Sequence, residues 1–570
     1  MRPLSILPFV LAVLVSGVSQ AFISTPANLV WLHAASFAPA IVVLSRCEGR
    51  AAWLGGWLLG ASANAAIFLW LMPTVDRFTT LGPAGGVAVL ALFALAFGFY
   101  GAVFGWGAAA VRRASGRLWP LGLAAWFTAC EFLNPQLFPY YQGVAWFQVR
   151  PVFLLSALTG VSGVTFLILA WNGLVAAAWE AWRGDDEARS GAVAALRASG
   201  AVFAALVIGA AGYTQGRARM IDDAVAGAET RRFALIQANV DVQGMRALLK
   251  QGRQVYREDL NSLTRQALAS DPSIDVVVWP EGAVRGSLLH PSRAAILEIA
   301  REHGVEIWTG VVEKRGPKGA KTRHNGGYRV SPDGTVSPPY DKNILVPFGE
   351  YMPGVQLLPF LGKIRNFPNV TAGEQPVILT GPKGPPAGFL VCYEATRPRY
   401  LREQVKAGAE ILATVTFDGW FGDTAALDQH MMLAASMSAA TGLPQVRAAT
   451  TGISMATGPD GILLGHTERA ERTWLIADVP MVALPSPYVR LGDWVAWLSI
   501  LAGFALAALG RARGAVVPLV FLAAAPLAWA INPHVPWADV LVWGAAVGLA
   551  LWAVWRTTGR QAQGASQVGV

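Results

Sequence analysis

Three residues of this chain belong to types that together can carry out acyl transfer. Glu281 lies in V-V-V-W-P-E-G, Lys342 in Y-D-K-N-I-L-V-P-F-G-E-Y and Cys392 in G-F-L-V-C-Y-E. A thiol accepts an acyl group well only as the thiolate, so it needs a base to remove its proton. Attack on an ester or amide carbonyl builds an oxyanion, which a fixed cation can stabilise. A single cysteine in an apolar strand is usually inert packing, but the three residues together match what acyl transfer requires.

The composition is that of a membrane protein. Hydrophobic residues make up 54% of the 570 residues, charged residues make up 14%, and there are 22 tryptophans. The net charge of +9 could indicate nucleic-acid binding, but much of the excess arginine lies in short loops between apolar runs, so no nucleic-acid partner is predicted. The three cysteines, Cys47, Cys130 and Cys392, suggest neither a disulfide framework nor a zinc site. No metal or cofactor is expected.

Charge-poor runs long enough to cross a bilayer lie on both sides of a polar middle region. The predicted spans are 4–22, 28–45, 53–72, 84–111, 118–133, 152–179, 195–214, 493–510, 515–532 and 537–555. Alternate connections hold most of the arginines, so the positive-inside rule places both termini in the cytoplasm. Seven spans then put residues 215–490 on the opposite side of the membrane, and three more return the chain to the cytoplasm.

Two parts of this topology have alternatives. Residues 1–22 could be a cleaved signal peptide, because Arg2 precedes an apolar run that ends in Ser19-Gln20-Ala21. Cleavage would leave the later topology unchanged. The last two spans could instead form one re-entrant hairpin, since only the short segment N-P-H-V-P at 532–536 joins them.

The polar middle region alternates between strand and helix patterns. Apolar, β-rich runs occur at 233–240, 275–279, 307–312, 388–393, 411–417 and 445–449, and helical patterns at 244–270, 292–303, 397–408 and 425–441. Asp333-Gly334 and Asp460-Gly461 predict hairpin turns, so the sheets should be partly antiparallel. The predicted organisation is a transmembrane bundle (1–214), a layered α/β catalytic domain (215–490), C-terminal spans (491–556) and a cytoplasmic tail (557–570).

The order of these motifs resembles the nitrilase, or carbon–nitrogen hydrolase, superfamily. The shared motifs are W-P-E, D-K-x-x-L-V-P-F-G-E-Y and C-Y-E, and the flanking spans narrow the resemblance to the apolipoprotein N-acyltransferase family. The resemblance implies a polytopic helical membrane domain fused to an α-β-β-α sandwich in the bacterial inner membrane, with the catalytic domain on the periplasmic face. It also implies a ping-pong reaction, in which a phospholipid acyl chain, usually from phosphatidylethanolamine, forms a thioester and passes to the α-amine of the diacylglyceryl-cysteine of an apolipoprotein.

The resemblance assigns expected roles to individual residues. Cys392 matches the nucleophile, Glu281 the general base and Lys342 the oxyanion-stabilising residue. Glu350 matches an additional active-site glutamate, and a salt bridge that orients Lys342 is an equally good interpretation of it. The residues expected to support the site are Tyr393, Glu394 and Trp420, with a structural role favoured for Glu394.

A lipid-access segment is expected at 353–370, which is apolar but interrupted by glycine and proline. This pattern favours a loop or short helix that dips into the membrane interface, with Leu357, Leu358 and Phe360 as its substrate-access residues. The alternative is a loop that packs on its own domain.

The chain also departs from the family pattern. Phe417 stands where the S-N-D sequence of the family has asparagine, and two more C-terminal spans are predicted than the family typically has.

Two other functions remain open from the sequence: a membrane-tethered carbon–nitrogen hydrolase that gives its acyl group to water, and a non-enzymatic transporter or scaffold with a relic domain. Retention of Glu281, Lys342 and Cys392 argues against the second.

Overall fold

The computed structural model describes residues 6–78, 81–251, 253–286, 294–317, 319–347, 349–351 and 369–510. These residues form two compact units. The helical unit contains the described residues up to Ala145, Val161–Gly212 and Asp493–Gly510. The second unit contains Trp146–Gly160 and the described residues of Tyr213–Gly492; it is called the catalytic unit below because it holds the candidate residues Glu281, Lys342 and Cys392.

The helices and strands of the described ranges are numbered in chain order. The helices are α1 (Ile6–Val18), α2 (Gln20–Ile23), α3 (Ala38–Leu44), α4 (Gly49–Ile67), α5 (Leu71–Phe78), α6 (Gly82–Phe97), α7 (Phe99–Ser115), α8 (Trp119–Leu133), α9 (Arg150–Phe153), α10 (Ser156–Thr159), α11 (Val161–Arg183), α12 (Asp186–Ala226), α13 (Val242–Gln251), α14 (Arg253–Ser270), α15 (Ala294–His303), α16 (Pro398–Lys406), α17 (Ala425–Thr441), α18 (Pro487–Leu491) and α19 (Trp494–Leu509). The strands are β1 (Thr230–Gln237), β2 (Val276–Arg285), β3 (Glu306–Arg315), β4 (Thr322–Val330), β5 (Tyr340–Asp341), β6 (Ile378–Leu379), β7 (Ala387–Val391), β8 (Ile411–Thr416), β9 (Gln445–Ala449), β10 (Met455–Thr457), β11 (Leu463–His466) and β12 (Thr473–Pro480).

Several helices of the described chain are long and apolar enough to cross a membrane. They are Ile6–Ile23, the stretch Gly82–Leu133, Val161–Arg183 and Asp186–Ala226, with the bent pair Gly49–Ile67 and Leu71–Arg77 as one more candidate. The expected span 28–45 instead forms a 3-10 turn, Val30–Ala34, followed by the short α3. The expected spans 515–532 and 537–555 lie outside the described residues.

Glycines allow α4 and α7 to pack backbone against backbone. A Cβ atom on Gly56 would lie 2.2 Å from the carbonyl oxygen of Gly101, and one on Gly60 would lie 2.0 Å from that of Gly98. Small residues are what close packing of membrane helices requires, because lipid supplies no hydrophobic force between helices. Gly98 also separates α6 from α7, so the expected span 84–111 is two helices rather than one.

The expected span 152–179 differs from the structure at its start. Residues 150–159 form the short helices α9 and α10 in the catalytic unit, and α11 begins only at Val161. Gly160 has φ +64°, a left-handed conformation that ends α10. Hydropathy alone cannot distinguish a buried apolar connection from the start of a membrane span, which explains the difference.

The catalytic unit is built from two six-stranded sheets. Their strand orders are β12-β1-β2-β3-β4-β5 and β11-β10-β9-β8-β7-β6. In each sheet three central strands are parallel, β1-β2-β3 and β7-β8-β9, and the remaining pairs are antiparallel. The Asp333-Gly334 and Asp460-Gly461 turns join antiparallel neighbours, with glycine φ values of +87° and +76°. The partly antiparallel sheets predicted from the sequence are thus confirmed.

The two sheets face each other across a continuous apolar core. Its members include Phe233, Val278, Trp308, Phe389 and Val415, all fully buried. Helices α14 and α15 pack on the first sheet, and α16 and α17 lie against the second. The unit is therefore the α-β-β-α sandwich expected from the sequence, and the helical unit completes the predicted fold class.

Candidate active site

The candidate nucleophile lies at a sharp turn after a central strand. Strand β7 is buried along its length and ends at Val391. Cys392 then begins the 3-10 turn Cys392–Thr396 with φ +53°. Positive φ is uncommon for a residue with a Cβ atom, and such strain is frequent at functional sites. The half-buried thiol is thereby held at the carboxyl end of a parallel strand.

Glu281 is held at the irregular end of β2. The register of β2 against β3 shifts between Trp279 and Val284. The Oε1 atom of Glu281 accepts a hydrogen bond of 2.7 Å from Asn325 Nδ2, and its Oε2 atom accepts one of 2.8 Å from the backbone N–H of Phe417. Burial raises the pKa of Glu281, and the Lys342 charge and the two hydrogen bonds oppose that rise. A carboxylate tuned in this way can accept a proton from a neighbouring thiol.

Lys342 is buried beside two carboxylates. Its Nζ lies 2.8 Å from Glu350 Oε2, and its side chain is 1% exposed. Burial opposes its positive charge, but Glu350, Glu281 and Cys392 outweigh that effect and raise the pKa of Lys342. Lys342 therefore stays a cation, as an oxyanion-stabilising residue must.

Asn325 connects the two carboxylates. Its side-chain Nδ2 donates to Glu281 Oε1 at 2.7 Å and to Glu350 Oε1 at 3.0 Å, while its backbone carbonyl oxygen accepts from the backbone N–H of Lys342 at 2.8 Å. Glu350 Oε2 also accepts from the backbone N–H of Val346 at 2.8 Å. The predicted residues Glu281, Lys342 and Glu350 are thus brought into one hydrogen-bonded group by a residue that the sequence analysis did not single out.

The surroundings of Cys392 favour the neutral thiol at rest. Burial raises the pKa of Cys392, with the charge of Glu281 next in importance, while Lys342 works in the opposite direction. The thiol therefore depends on proton removal at the moment of attack.

A buried polar group centred on Asp418 contacts the backbone of the candidate nucleophile. Asp418 accepts hydrogen bonds from Thr416 Oγ1 at 2.7 Å and pairs with His430 Nδ1 at 2.9 Å and with Arg447. His430 Nε2 lies 3.2 Å from the carbonyl oxygen of Cys392. Burial opposes ionisation of Asp418, but the Arg447 and His430 charges prevail and lower its pKa. The group fixes the backbone that carries the thiol.

The same group offers atoms of types that bind metals. A sulfur of Cys392, a carboxylate oxygen of Asp418 and a ring nitrogen of His430 lie within 4.8 Å of one another. The Arg447 guanidinium already neutralises the Asp418 carboxylate, and a cation would have to compete with it. The arrangement therefore suits a hydrogen-bonded support better than a metal site.

Glu394 connects the turn of the nucleophile to the segment that carries Lys342. Oε2 accepts from the Tyr340 hydroxyl at 2.7 Å and the Val391 N–H at 2.8 Å, and Oε1 accepts from the N–H groups of Asn343 at 2.7 Å and Ile344 at 3.1 Å. Burial raises the pKa of Glu394 to about 7, against the Lys342 charge and these hydrogen bonds. Its acceptor capacity is fully used, so the geometry fits the structural role favoured from the sequence.

The remaining predicted residues differ in their exposure to solvent. Tyr393 is buried, and the Arg397 guanidinium carbon stands 4.2 Å from its ring centroid. Trp420 is 37% exposed and lies on the 3-10 turn Asp418–Trp420, near the Phe417 ring. The expected access residues Leu357, Leu358 and Phe360 lie outside the described residues.

The structure also clarifies the departure at Phe417. Glu281 is held by the backbone N–H of this residue, which any amino acid except proline supplies. Asn325 and His430 were missed because each stands among ordinary polar neighbours, Arg323-His324 and Asp428-Gln429, and its role depends on residues distant in the sequence. The adjacent glycines in H-N-G-G at 324–327 were the available signal for Asn325: a Cβ on Gly327 would lie 2.1 Å from the Phe389 ring, so only glycine fits there.

Comparisons with known proteins identify both parts of the chain. Residues 232–485 match the family described as carbon-nitrogen hydrolase, and residues 16–174 match the apolipoprotein N-acyltransferase N-terminal domain. An apolipoprotein N-acyltransferase of Geobacter metallireducens is 30% identical over 501 residues, covering 86% of this chain and 92% of the relative. One of Bradyrhizobium diazoefficiens is 31% identical over 454 residues, covering 75% and 78%. Among solved structures, a carbon-nitrogen hydrolase from Helicobacter pylori has a TM-score of 0.35 and 19% identity, over 44% of this chain and 89% of that one.

Proposed function

The chain belongs to the apolipoprotein N-acyltransferase family, and from this premise we propose that Cys392 carries an acyl group between two lipid substrates. The proposed donor is a membrane phospholipid, such as phosphatidylethanolamine. The proposed acceptor is the α-amine of the N-terminal diacylglyceryl-cysteine of an apolipoprotein. Family membership makes the chain an acyltransferase, and it favours this function over the hydrolase alternative.

The observation that carries the proposal is the group of charges tied together by Asn325. It places a carboxylate, Glu281, and a cation, Lys342, in one network, and both carry charges that act on the Cys392 thiol. A base and an oxyanion-stabilising cation beside one thiol are the parts that acyl transfer needs. Glu350 holds Lys342 in place, so its proposed role is positional.

In the proposed first half-reaction, Glu281 takes the thiol proton as Cys392 Sγ attacks the ester carbonyl of the donor. The carbonyl electrons move to oxygen, and the Lys342 ammonium stabilises that oxyanion. Collapse of the intermediate breaks the ester C–O bond. The leaving glyceryl oxygen takes the proton from Glu281, and the products are a lysophospholipid and an acyl thioester.

In the proposed second half-reaction, the acceptor amine attacks the thioester. Glu281 removes the amine proton, Lys342 again stabilises the oxyanion, and the C–S bond breaks to release an amide and the Cys392 thiolate. The thiolate recovers its proton from Glu281. Both half-reactions use Cys392, Glu281 and Lys342, as expected of a ping-pong enzyme that passes one acyl group through a single nucleophile.

The proposed location is the bacterial inner membrane, with the catalytic domain on the periplasmic face and both termini in the cytoplasm. The apolar helices of the helical unit and the positions of the arginines in the sequence support this orientation. Accessibility labelling, in intact cells, of single cysteines introduced into the catalytic unit of a protein whose Cys47, Cys130 and Cys392 are replaced by serine would test it.

The test of the function is incubation of the purified protein in detergent with labelled phospholipid and a diacylated lipopeptide, followed by mass spectrometry of both. We expect one lysophospholipid for each triacylated peptide, and neither product with Cys392→Ser, because a serine hydroxyl is much harder to deprotonate than a thiol. Free fatty acid in place of acylated peptide would overturn the transferase proposal in favour of the hydrolase.

A further inference from the structure

Two cations lie side by side next to the candidate active site. Lys314 of β3 is the direct cross-strand partner of Arg323 of β4. Cross-strand partners project from the same face of a sheet. Like charges in such a pair repel each other and are destabilising unless an anion lies between them or water screens them. The pair is therefore a feature that needs an explanation.

The face on which these cations lie is the catalytic face. Side chains alternate along a strand, so Arg323 shares its face with Asn325, whose amide binds Glu281 and Glu350. Two residues of a strand span about 6.6 Å. Further along the same face, the Arg329 guanidinium stacks on Trp308 in the core. The face thus runs from the buried core past the carboxylates and ends at the two cations.

The other charged groups of this part of the sheet are engaged elsewhere. Asp341 pairs with Arg315 and lies near His324, and Glu313 pairs with Arg315, all on the opposite face. Glu350 forms its ion pair with Lys342. Burial lowers the pKa of Arg323, and the negative charge of Glu350 acts in the opposite direction.

Neither cation has a side-chain partner within the part of the chain that the structure describes. The Arg323 and Lys314 side chains form no hydrogen bond or ion pair with those residues. Arg323 is half-buried and Lys314 is exposed. An unpaired, partly desolvated guanidinium next to an ammonium is well suited to bind a phosphate oxygen, because arginine offers paired N–H donors and lysine adds a point charge.

We propose that Lys314 and Arg323 bind the phosphate group of the acyl donor and so select a phospholipid over other esters. This inference rests on the function proposed above. In a glycerophospholipid the phosphate is attached to the same glycerol as the reacting ester, a few bonds away. A phosphate held one step along the strand from Asn325 would therefore leave the ester near Cys392. Every glycerophospholipid carries this group, so the pair selects for phosphate and not for one headgroup.

The test compares two donors that differ in the phosphate. Acylation of the purified protein is followed with phosphatidylethanolamine and with the p-nitrophenyl ester of the same acyl chain, both in the same detergent micelles. The variants are Arg323→Gln, Lys314→Gln and the double variant, with the exposed Lys321→Gln as the matched control outside the pair. Each lost charged contact should lower kcat/KM for the phospholipid about ten- to a hundredfold, more for Arg323 than for the exposed lysine.

We expect the p-nitrophenyl ester to react at the wild-type rate with every variant, because it lacks the phosphate. Equal losses with both donors would overturn the inference and make Arg323 a support for Glu350. Unchanged phospholipid kinetics would also overturn it. A wild-type protein that forms no acyl-enzyme with either donor would contradict the proposed function instead.

Competition by free inorganic phosphate shows whether Lys314 and Arg323 bind a lipid phosphate or a soluble anion. For a lipid phosphate presented by a micelle, we expect free phosphate to compete only weakly, and the Arg323→Gln variant to remove that competition. Tight competition by free phosphate with no preference for the phospholipid would assign the pair to a soluble anion and overturn its proposed role in donor selection.

Discussion

Replacement of Asn325 by alanine should change the pKa of Glu281 without removing the Cys392 nucleophile. Asn325 Nδ2 donates to Glu281 Oε1 at 2.7 Å and so stabilises the ionised carboxylate, which lowers the pKa of Glu281. Without this donor the pKa of Glu281 rises further, and a smaller fraction is ionised at a given pH. Since the reaction uses the carboxylate as base, the acid limb of the rate profile should move to higher pH.

The size of the effect follows from one lost hydrogen bond to a charged group. Such a bond contributes about 1.5–3 kcal/mol, so acylation on the acid limb should be about ten- to a hundredfold slower than in the wild type. At pH values where Glu281 is ionised in both proteins, the difference should shrink to the smaller effect of disturbing Glu350, which Asn325 also contacts at 3.0 Å.

The assay is lysophospholipid release over a range of pH, under conditions that limit turnover to acylation. Asn343→Ala is the matched control: Asn343 is also buried, but its side chain donates to the carbonyl oxygen of Asp341 at 2.8 Å and not to a catalytic carboxylate. Its acid limb should stay in place. A rate that falls equally at all pH values in Asn325→Ala would refute Glu281 as the titrating base.

Three further substitutions probe other parts of the site. Lys342→Met should slow both acylation and transfer to the amine by roughly a hundred- to a thousandfold, since each passes through an oxyanion; both half-reactions within about threefold of wild type would make Lys342 structural. Glu394→Gln should lower the melting temperature, because an amide nitrogen facing the Val391 N–H leaves a buried donor unsatisfied at a cost of about 1–3 kcal/mol; an unchanged melting temperature would contradict the hydrogen-bonding role. Gly310→Ala should reduce both stability and acylation, because its Cβ would lie 2.6 Å from Glu281 Cα; full activity would show that β2 and β3 can move apart without harm.

Much of the catalytic unit was predictable because its central strands are continuous apolar runs. Strands β2, β7 and β8 are buried on both faces, which is the pattern of parallel strands covered on both sides. Short edge strands such as β5 and β11 have no such run, so no local pattern marks them. They became visible only in the structure.

The membrane spans were harder to predict in detail. Hydropathy marks apolar segments but not where they bend, and Gly98 and Gly160 end helices inside runs that look continuous. The candidate active site was likewise predictable only in part. Its titratable residues stand in distinctive motifs, whereas Asn325 and His430 take their roles from long-range hydrogen bonds that no local pattern encodes.

The most direct test of the account is the mass of the Cys392 peptide after the protein is incubated with phospholipid and no acceptor. The account predicts one acyl group on Cys392, cleaved by neutral hydroxylamine as a thioester and lost when a diacylated lipopeptide is added. An acyl group on another residue, or acylated lipopeptide formed by a Cys392→Ser protein, would contradict it.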